Sequence, residues 1–263
     1  MTAQDPNITR VRYATRDLRA QASTFLALHR EGPVLVLPNV WDAESARMVE
    51  AAGAHAIATS SYAIAAARDH QDGEDMPVDM ALKAIEEITA AVSVPVTADL
   101  EAGYGDAFTT VRRAVGIGVV GANIEDQLRP LNRSVALMEA ALAGASVEGV
   151  DLVLNARTDV YLKSEIEPAQ RFDEAVARGR AYLAVGASSF FVPGLTDLDE
   201  VANLVRELGW RRVNVLGTPG GPHPHVWGDM GVARVSYGPA VFRAFPDDRA
   251  ALIARLLADE QLR

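Results

Sequence analysis

Cysteine is absent from all 263 residues, which excludes disulfides, thiolate nucleophiles and cysteine-ligated metals together and fits a cytosolic chain. No surplus of positive charge exists either. With 25 basic against 35 acidic side chains and a net charge of −10, neither nucleic acid nor an anionic membrane is the expected partner. The first thirty residues are polar and charged, without the apolar core of a signal peptide, and no later run is long enough to span a bilayer. A cytoplasmic protein is therefore expected. No Pro/Gly/Ser linker, low-complexity tract or shift in composition divides the chain, so residues 1–263 are read as one domain. No G-x-S-x-G or Walker pattern appears, which makes Ser60 and Ser61 binding groups rather than nucleophiles.

What is present is a repeated unit: a helical pattern, a glycine near its end, a short apolar run, then polar residues. The apolar runs at 34–37, 55–59, 94–98, 119–124, 152–156, 188–192, 212–216 and 233–237 predict eight strands. Gly53, Gly118, Gly186, Gly209 and Gly231 stand just before five of them, where a left-handed helix end is favoured. Between strands, Val78, Leu82, Ile85, Ile88 and Val92 recur at spacings of three and four, the signature of one buried helix face. Nearly continuous apolar strands separated by helices imply a parallel sheet covered by those helices. Eight such units close naturally into a (β/α)8 TIM-type barrel, preceded here by a helical segment at residues 17–30. A doubly wound open sheet is the alternative, and two smaller domains are compatible with length alone.

In such a barrel the C-terminal ends of the strands share one mouth. There the sequence places Asp99 and Glu101 in the run Asp99-Leu100-Glu101-Ala102-Gly103-Tyr104-Gly105, then Glu125-Asp126, then Arg157. Asn39, Trp41 and Asp42 follow the first strand, and Ser60, Ser61 and Tyr62 the second. Carboxylates at a buried strand end need a cation beside them. Clustered acids without thiolate or abundant histidine suit a hard divalent ion, above all Mg²⁺. Arg157 is placed to hold a small oxyanion in bidentate fashion, with backbone N–H groups of the Ser60-Ser61 turn around the other oxygens. An internal ion-pair network closing the mouth is the competing reading. Two weaker signals stand apart. Gly116 to Gly121 fits G-x-G-x-x-G, but it leaves a helix and enters a strand, the reverse of a dinucleotide fold. His223 and His225 follow the seventh strand as a solvated loop, or as an acid, base or second metal site.

These residues resemble the isocitrate lyase and phosphoenolpyruvate mutase superfamily. The resemblance runs from about Leu37 to Gly238 and is carried by Ala52-Gly53, Ala56-Ile57-Ala58-Thr59-Ser60-Ser61, the Asp99 to Gly105 segment, Ile124-Glu125-Asp126-Gln127 and Ala156-Arg157. It implies a barrel that binds Mg²⁺ and a small α-keto acid or its enolate. It also implies a homo-oligomer, a dimer or a tetramer built as a dimer of dimers, in which a C-terminal helix is exchanged between neighbours. Asp99 matches the direct metal ligand, Glu101 and Glu125 the acids that hold the metal's waters, Ser60 and Ser61 the turn that grips the substrate carboxylate, and Arg157 the arginine beside it. Asp72 falls where the mutases carry an aspartate near the substrate; the same acid also reads as a solvated residue of the polar loop 69–75.

The departures narrow the chemistry. Lyases of that superfamily carry a cysteine in K-[KR]-C-G-H on the loop after the Glu125 strand, where this chain reads Gln127-Leu128-Arg129-Pro130-Leu131-Asn132-Arg133-Ser134. Mutases and phosphonopyruvate hydrolases place a lysine in that loop and a histidine after the sixth strand, where Leu131 and Pro193 stand here. The resulting expectation is a carbon-carbon lyase or decarboxylase with Arg157, Glu125 and Asp72 in the reaction, and with Asp72, Tyr62 and the two histidines as candidate acids or bases. A C–P mutase or hydrolase, or a non-catalytic α-keto acid binder, is the alternative.

Overall fold

A computed structural model describes residues 17–163 and 165–244. The chain begins with α1 (Leu18–Arg30), capped where the Asp17 carboxylate accepts from the Ala20 N–H at 3.0 Å. Strands and helices then alternate: β1 (Leu35–Leu37), β2 (Asn39–Val40), α2 (Ala43–Ala51), β3 (Ile57–Thr59), α3 (Ser61–Ala66), α4 (Val78–Ala91), β4 (Val96–Asp99), α5 (Ala107–Gly116), β5 (Gly121–Glu125), α6 (Leu131–Val147), β6 (Val153–Arg157), α7 (Arg171–Ala184), β7 (Ser189–Phe191), α8 (Leu198–Leu208), β8 (Val213–Leu216), α9 (Pro224–Asp229), β9 (Arg234–Ser236) and α10 (Ala240–Arg243). The exchanged C-terminal helix that the resemblance implies falls outside the described residues. Several helices start on the residue type that favours starting: Asp42, Ser60, Asp106 and Asp197 each accept from a backbone N–H three residues on, satisfying a donor that the first helical turn leaves free.

The nine strands of the described residues are all parallel, in the order β1-β9-β8-β7-β6-β5-β4-β3-β2. The two ends of that order are one stretch of chain, because β1 and β2 are separated only by Pro38. Proline has no N–H and interrupts the ladder, so Leu35–Leu37 pairs with β9 and Asn39–Val40 pairs with β3. The sheet thereby closes into the expected eight-stranded barrel. Asn39 makes the seam: its Nδ2 donates to the Thr59 carbonyl at 2.8 Å, while its Oδ1 accepts from the N–H groups of Tyr237 and Gly238 at 2.9 and 2.7 Å. The five glycines before strands all have positive φ, as expected.

Helix α1 closes the barrel at the N-terminal ends of the strands. Gln21 donates to the carbonyl of Ser93, Arg19 to that of Gly149, and Arg30 to those of Ser188 and Arg211, all residues that precede strands. Phe25 of α1 is fully buried against Gly121, where an added Cβ would lie 2.5 Å from the Phe25 ring. Between α5 and α6 the approach is equally close. A Cβ on Gly144 would lie 2.3 Å from the Phe108 carbonyl oxygen. Alanine favours a helix over glycine by about 1 kcal/mol, but overpacking against rigid backbone costs about 1–3 kcal/mol. Gly144→Ala therefore lowers the urea midpoint; a raised midpoint would show that the two helices have room to spare.

One expectation needs correction. The strands are not nearly continuous in apolar character. Ile124, Leu154, Ala156, Phe190 and Val215 are fully buried on the face toward the helices, but Asn123, Asn155, Ser189 and Asn214, which alternate with them, are polar. Asn155 Nδ2 donates to Asn123 Oδ1 at 2.8 Å, and Ser189 Oγ to Asn155 Oδ1 at 2.7 Å. Thr97, Asn214 and Arg234 continue that inward set by the alternation along each strand and the pairing register. Asn123, Asn155 and Ser189 satisfy one another across neighbouring strands, as polar groups on a helix-facing side could not, whereas Thr97 Oγ1, the Asn214 amide and Arg234 Nε and Nη1 find no partner there.

Candidate active site

Asp99, Glu125 and Arg157 are the last residues of β4, β5 and β6. The register places Glu125 beside Arg157, and their side chains meet: Arg157 Nη1 lies 2.8 Å from Glu125 Oε2. The other side of the guanidinium holds Asp159, with Nε at 2.9 Å from Oδ1. Burial opposes the charge on Arg157, but Glu125, Asp159 and Asp99 outweigh it and raise its pKa. Asp159 was not singled out from the sequence, although the signal was there: Arg157-x-Asp159 repeats the i, i+2 spacing of Asp99-x-Glu101 after a strand.

Asp99 is approached from β3. Its Oδ2 accepts from the Ser61 N–H at 3.1 Å and from Ser61 Oγ at 2.8 Å. Ser61 Oγ also lies 3.3 Å from Asp72 Oδ1, which brings Asp72 out of its polar loop and into the cluster. A hydroxyl carries a single hydrogen, so it cannot serve both carboxylates at once. Glu101 is buried and accepts from the Gly73 N–H at 3.2 Å, while Glu74 accepts from the Tyr104 N–H at 2.6 Å. The turn after β4 is strained, with Glu101 and Tyr104 at φ of 53° and 52°, a conformation that costs about 1–3 kcal/mol per non-glycine residue and collects at functional sites. Gly103 between them, at φ 87°, admits no Cβ, since one would lie 2.6 Å from that of Ala107.

The electrostatics follow from crowding. Burial raises the pKa of Asp99 against the opposing pull of Arg157 and the two Ser61 bonds. Burial, with Asp99, Asp72 and Glu125 adding repulsion, pushes Glu101 up to about 9. Glu125 is pushed up to about 7 by burial, despite Arg157, with Asp159 and Asp99 adding to the rise. One arginine does not balance this many acids. Oxygen-only donors with surplus negative charge fit a hard divalent cation. No group of three His, Cys, Asp or Glu side chains among the described residues forms a ready ligand set. The arrangement therefore fits an ion that takes one or two carboxylates directly and meets the others through its water shell, as Mg²⁺ does.

Other expected residues lie apart. Ser60 is buried with its hydroxyl committed to capping α3, accepting from the Ala63 N–H at 3.3 Å. The Tyr62 ring faces the Arg243 guanidinium, 4.3 Å from its centroid. His223 and His225 stack on each other with centroids 5.7 Å apart. No hydrogen bond joins either histidine to the acids among the described residues. The segment 127–134 is only half loop, because α6 begins at Leu131 directly after Pro130, whose fixed φ suits the residue before a helix. The remaining turn is held by Asp126, which accepts from the N–H groups of Leu128 and Asp159 and from the side chains of Arg178 and Tyr182. Gln127 and Leu128 are both left-handed there. Gln127 Nε2 reaches Glu125 at 3.4 Å, and Arg129 in turn donates to Gln127 Oε1 at 2.9 Å.

A closed parallel barrel with acids and one arginine at the C-terminal strand ends has the layout of a barrel enzyme. The chain belongs to the phosphoenolpyruvate phosphomutase family, which it matches over residues 25–257. It is 32% identical over 228 residues to an uncharacterized protein of Mycobacterium tuberculosis, covering 84% of each chain. It is 30% identical over 209 residues to the chloroplastic carboxyvinyl-carboxyphosphonate phosphorylmutase of Arabidopsis thaliana, covering 73% of this chain and 61% of that one. A crystal structure from Burkholderia cenocepacia J2315 superposes with a TM-score of 0.83 at 38% identity, over 89% of this chain and 99% of that one. No helix among the described residues is long and apolar enough to cross a membrane.

Proposed function

We propose that this protein is a Mg²⁺-dependent enzyme acting on a small α-keto acid through an enolate, as a carbon-carbon lyase or decarboxylase. The observation that carries the reading is the surplus of buried carboxylate around Asp99, held in place by Ser61, with Arg157 the one arginine in ion-pair contact with the cluster among the described residues. Bound Mg²⁺ would supply charge to the keto acid's oxygens and to the enolate oxygen that develops when the neighbouring bond breaks. Asp99 would hold the ion, with Glu101 and Glu125 on its waters. Arg157, braced on Glu125 and Asp159, would orient the substrate carboxylate. Glu125, whose carboxyl pKa burial raises against the pull of Arg157, is one candidate to take or return a proton, and Asp72, sharing the Ser61 hydroxyl, is a second. Leu131 and Pro193 supply no lysine or histidine for phosphoryl transfer, which favours C–C over C–P chemistry. The similarity to the plant phosphorylmutase favours a C–P mutase as the second reading. Turnover of oxaloacetate, a 2-methylmalate-type acid or phosphonopyruvate in a parallel assay separates the two, and Mg²⁺-dependent binding without turnover would leave a keto acid binder.

Calorimetry tests the site itself. Oxaloacetate should bind with Mg²⁺ and not in EDTA. Arg157→Lys should weaken that binding by about tenfold while leaving Mg²⁺ affinity within about twofold, because lysine keeps the charge and loses the planar fork. Equal affinity with and without the ion would identify the acids as an internal ion-pair network.

A further inference from the structure

Beneath the acid cluster, the inner face of the barrel carries one arginine with no ion-pair partner among the described residues, between the register neighbours Leu35 and Asn214. Arg234 of β9 is 1% exposed, and neither its Nε nor its Nη1 has a hydrogen-bond partner. No ion pair among the described residues includes it; the arginines that are paired are Arg68, Arg112, Arg113, Arg157, Arg178 and Arg180. Its register neighbour on β8 is Asn214, fully buried, with both Oδ1 and Nδ2 unpartnered. Cα partners on adjacent parallel strands point their side chains to the same face, so these unsatisfied groups lie side by side. The contrast with their neighbours is sharp, because Asn123, Asn155 and Ser189 on the same inner face bond to one another.

No acid among the described residues is in ion-pair contact with Arg234, and Asp99 acts on it only from a distance. His29 of α1 is fully buried, and its Nδ1 lies 2.8 Å from the Phe25 carbonyl. A carbonyl only accepts, so Nδ1 carries the hydrogen. Burial and the charge of Arg234 hold this imidazole neutral. Asp99 is the acid whose charge reaches Arg234, but burial still lowers the guanidinium to about 10. A buried guanidinium offers donors that cannot be silenced by deprotonation near neutral pH, and leaving them unpaired is expensive.

We propose that Arg234 and Asn214 form a receptor for one small monovalent anionic group, a carboxylate or a halide, inside the barrel. The guanidinium would donate to the anion from one of its two free groups, Nε–H or Nη1–H, and the Asn214 amide would donate through Nδ2. The chemistry has two sources: a free ion such as formate or bromide, or a second carboxylate at the far end of the keto acid, the latter resting on the functional reading above.

The experiment uses the Mg²⁺-loaded full chain in two arms. In the first, formate or bromide is titrated at constant ionic strength and thermal unfolding is followed. Wild type should gain several degrees with saturation. Asn214→Asp, which supplies the missing carboxylate, should start higher and show no saturable gain. In the second, calorimetry compares oxaloacetate with 2-oxobutyrate, which differ by a carboxylate in place of a methyl group. A preference of tenfold or more in wild type that falls to about twofold in Asn214→Asp and in Arg234→Lys assigns the site to the substrate's second carboxylate. A saturable formate response without that preference assigns it to a free ion. Absence of both overturns the proposal, as does a response that Asn214→Asp and Arg234→Lys leave unchanged. If neither keto acid binds in Mg²⁺, the functional reading fails while the formate arm still decides this one.

Discussion

Asp99→Asn should make the metal-free protein more stable and insensitive to Mg²⁺. The side chain is held by the Ser61 N–H and hydroxyl at 3.1 and 2.8 Å, bonds that an amide oxygen can accept equally well. What the substitution removes is a carboxylate whose charge is opposed by burial and by Asp72 more strongly than Arg157 and the Ser61 bonds favour it. Relief of that opposition is worth about 1 kcal/mol or more, a rise of about 2–4 °C in a chain of this size. Millimolar Mg²⁺ should raise the unfolding temperature of wild type and not of the variant. Turnover of whichever keto acid proves to be the substrate should fall by about two to three orders of magnitude, the usual loss when one stabilising contact to a developing oxyanion is removed. A variant that is less stable, with its Mg²⁺ response intact, would show that the carboxylate serves the ion pairs of the barrel mouth instead.

The second large effect lies at the opposite end of the barrel. His29 is held down at about 3, against an ordinary value of 6.5, by burial and by Arg234. The folded protein therefore stays neutral at this position while the unfolded chain takes up a proton as pH falls below 6.5. Its contribution is intact above that pH and is withdrawn progressively on acidification, reaching on the order of 3 kcal/mol at pH 4. His29→Asn keeps a donor for the Phe25 carbonyl and cannot titrate. It should unfold more easily at pH 8, where the smaller side chain leaves a gap, yet lose less stability between pH 6.5 and 4. Urea unfolding of both proteins across that range provides the difference, and parallel slopes would mean that His29 is charged in the native state.

The architecture was largely legible because it rests on short-range signals. All eight expected strands exist, most of them a residue or two shorter or shifted, and Gly116 to Gly121 does run from helix α5 into strand β5. Asp99, Glu125 and Arg157 could be placed at one mouth because a parallel barrel fixes which strand ends meet. What escaped was set by contacts between loops. Ser61 reaches Asp99 across 38 residues, and Gly73 reaches Glu101 across 28; no periodicity encodes either. The helical start at Leu131 was hidden by its polar neighbours Asn132 and Arg133, which read as loop. Arg234 passed unnoticed for a related reason: in the run Ala233-Arg234-Val235-Ser236, a single arginine among apolar residues looks like an exposed side chain until the register turns it inward.

The Asn39 seam has a kinetic consequence. Its bonds to Tyr237 and Gly238 join positions 198 and 199 residues apart, so the first strand cannot find its second neighbour until nearly the whole chain has been synthesised. Until then Leu35–Leu37 presents an unsatisfied edge, and the emerging protein is an open sheet that lengthens one βα unit at a time. Contacts of such long separation are slow to form, and exposed edges invite association between incomplete chains. Closure of this barrel is thus expected as a late event in folding, with aggregation of the unclosed sheet as its main competitor.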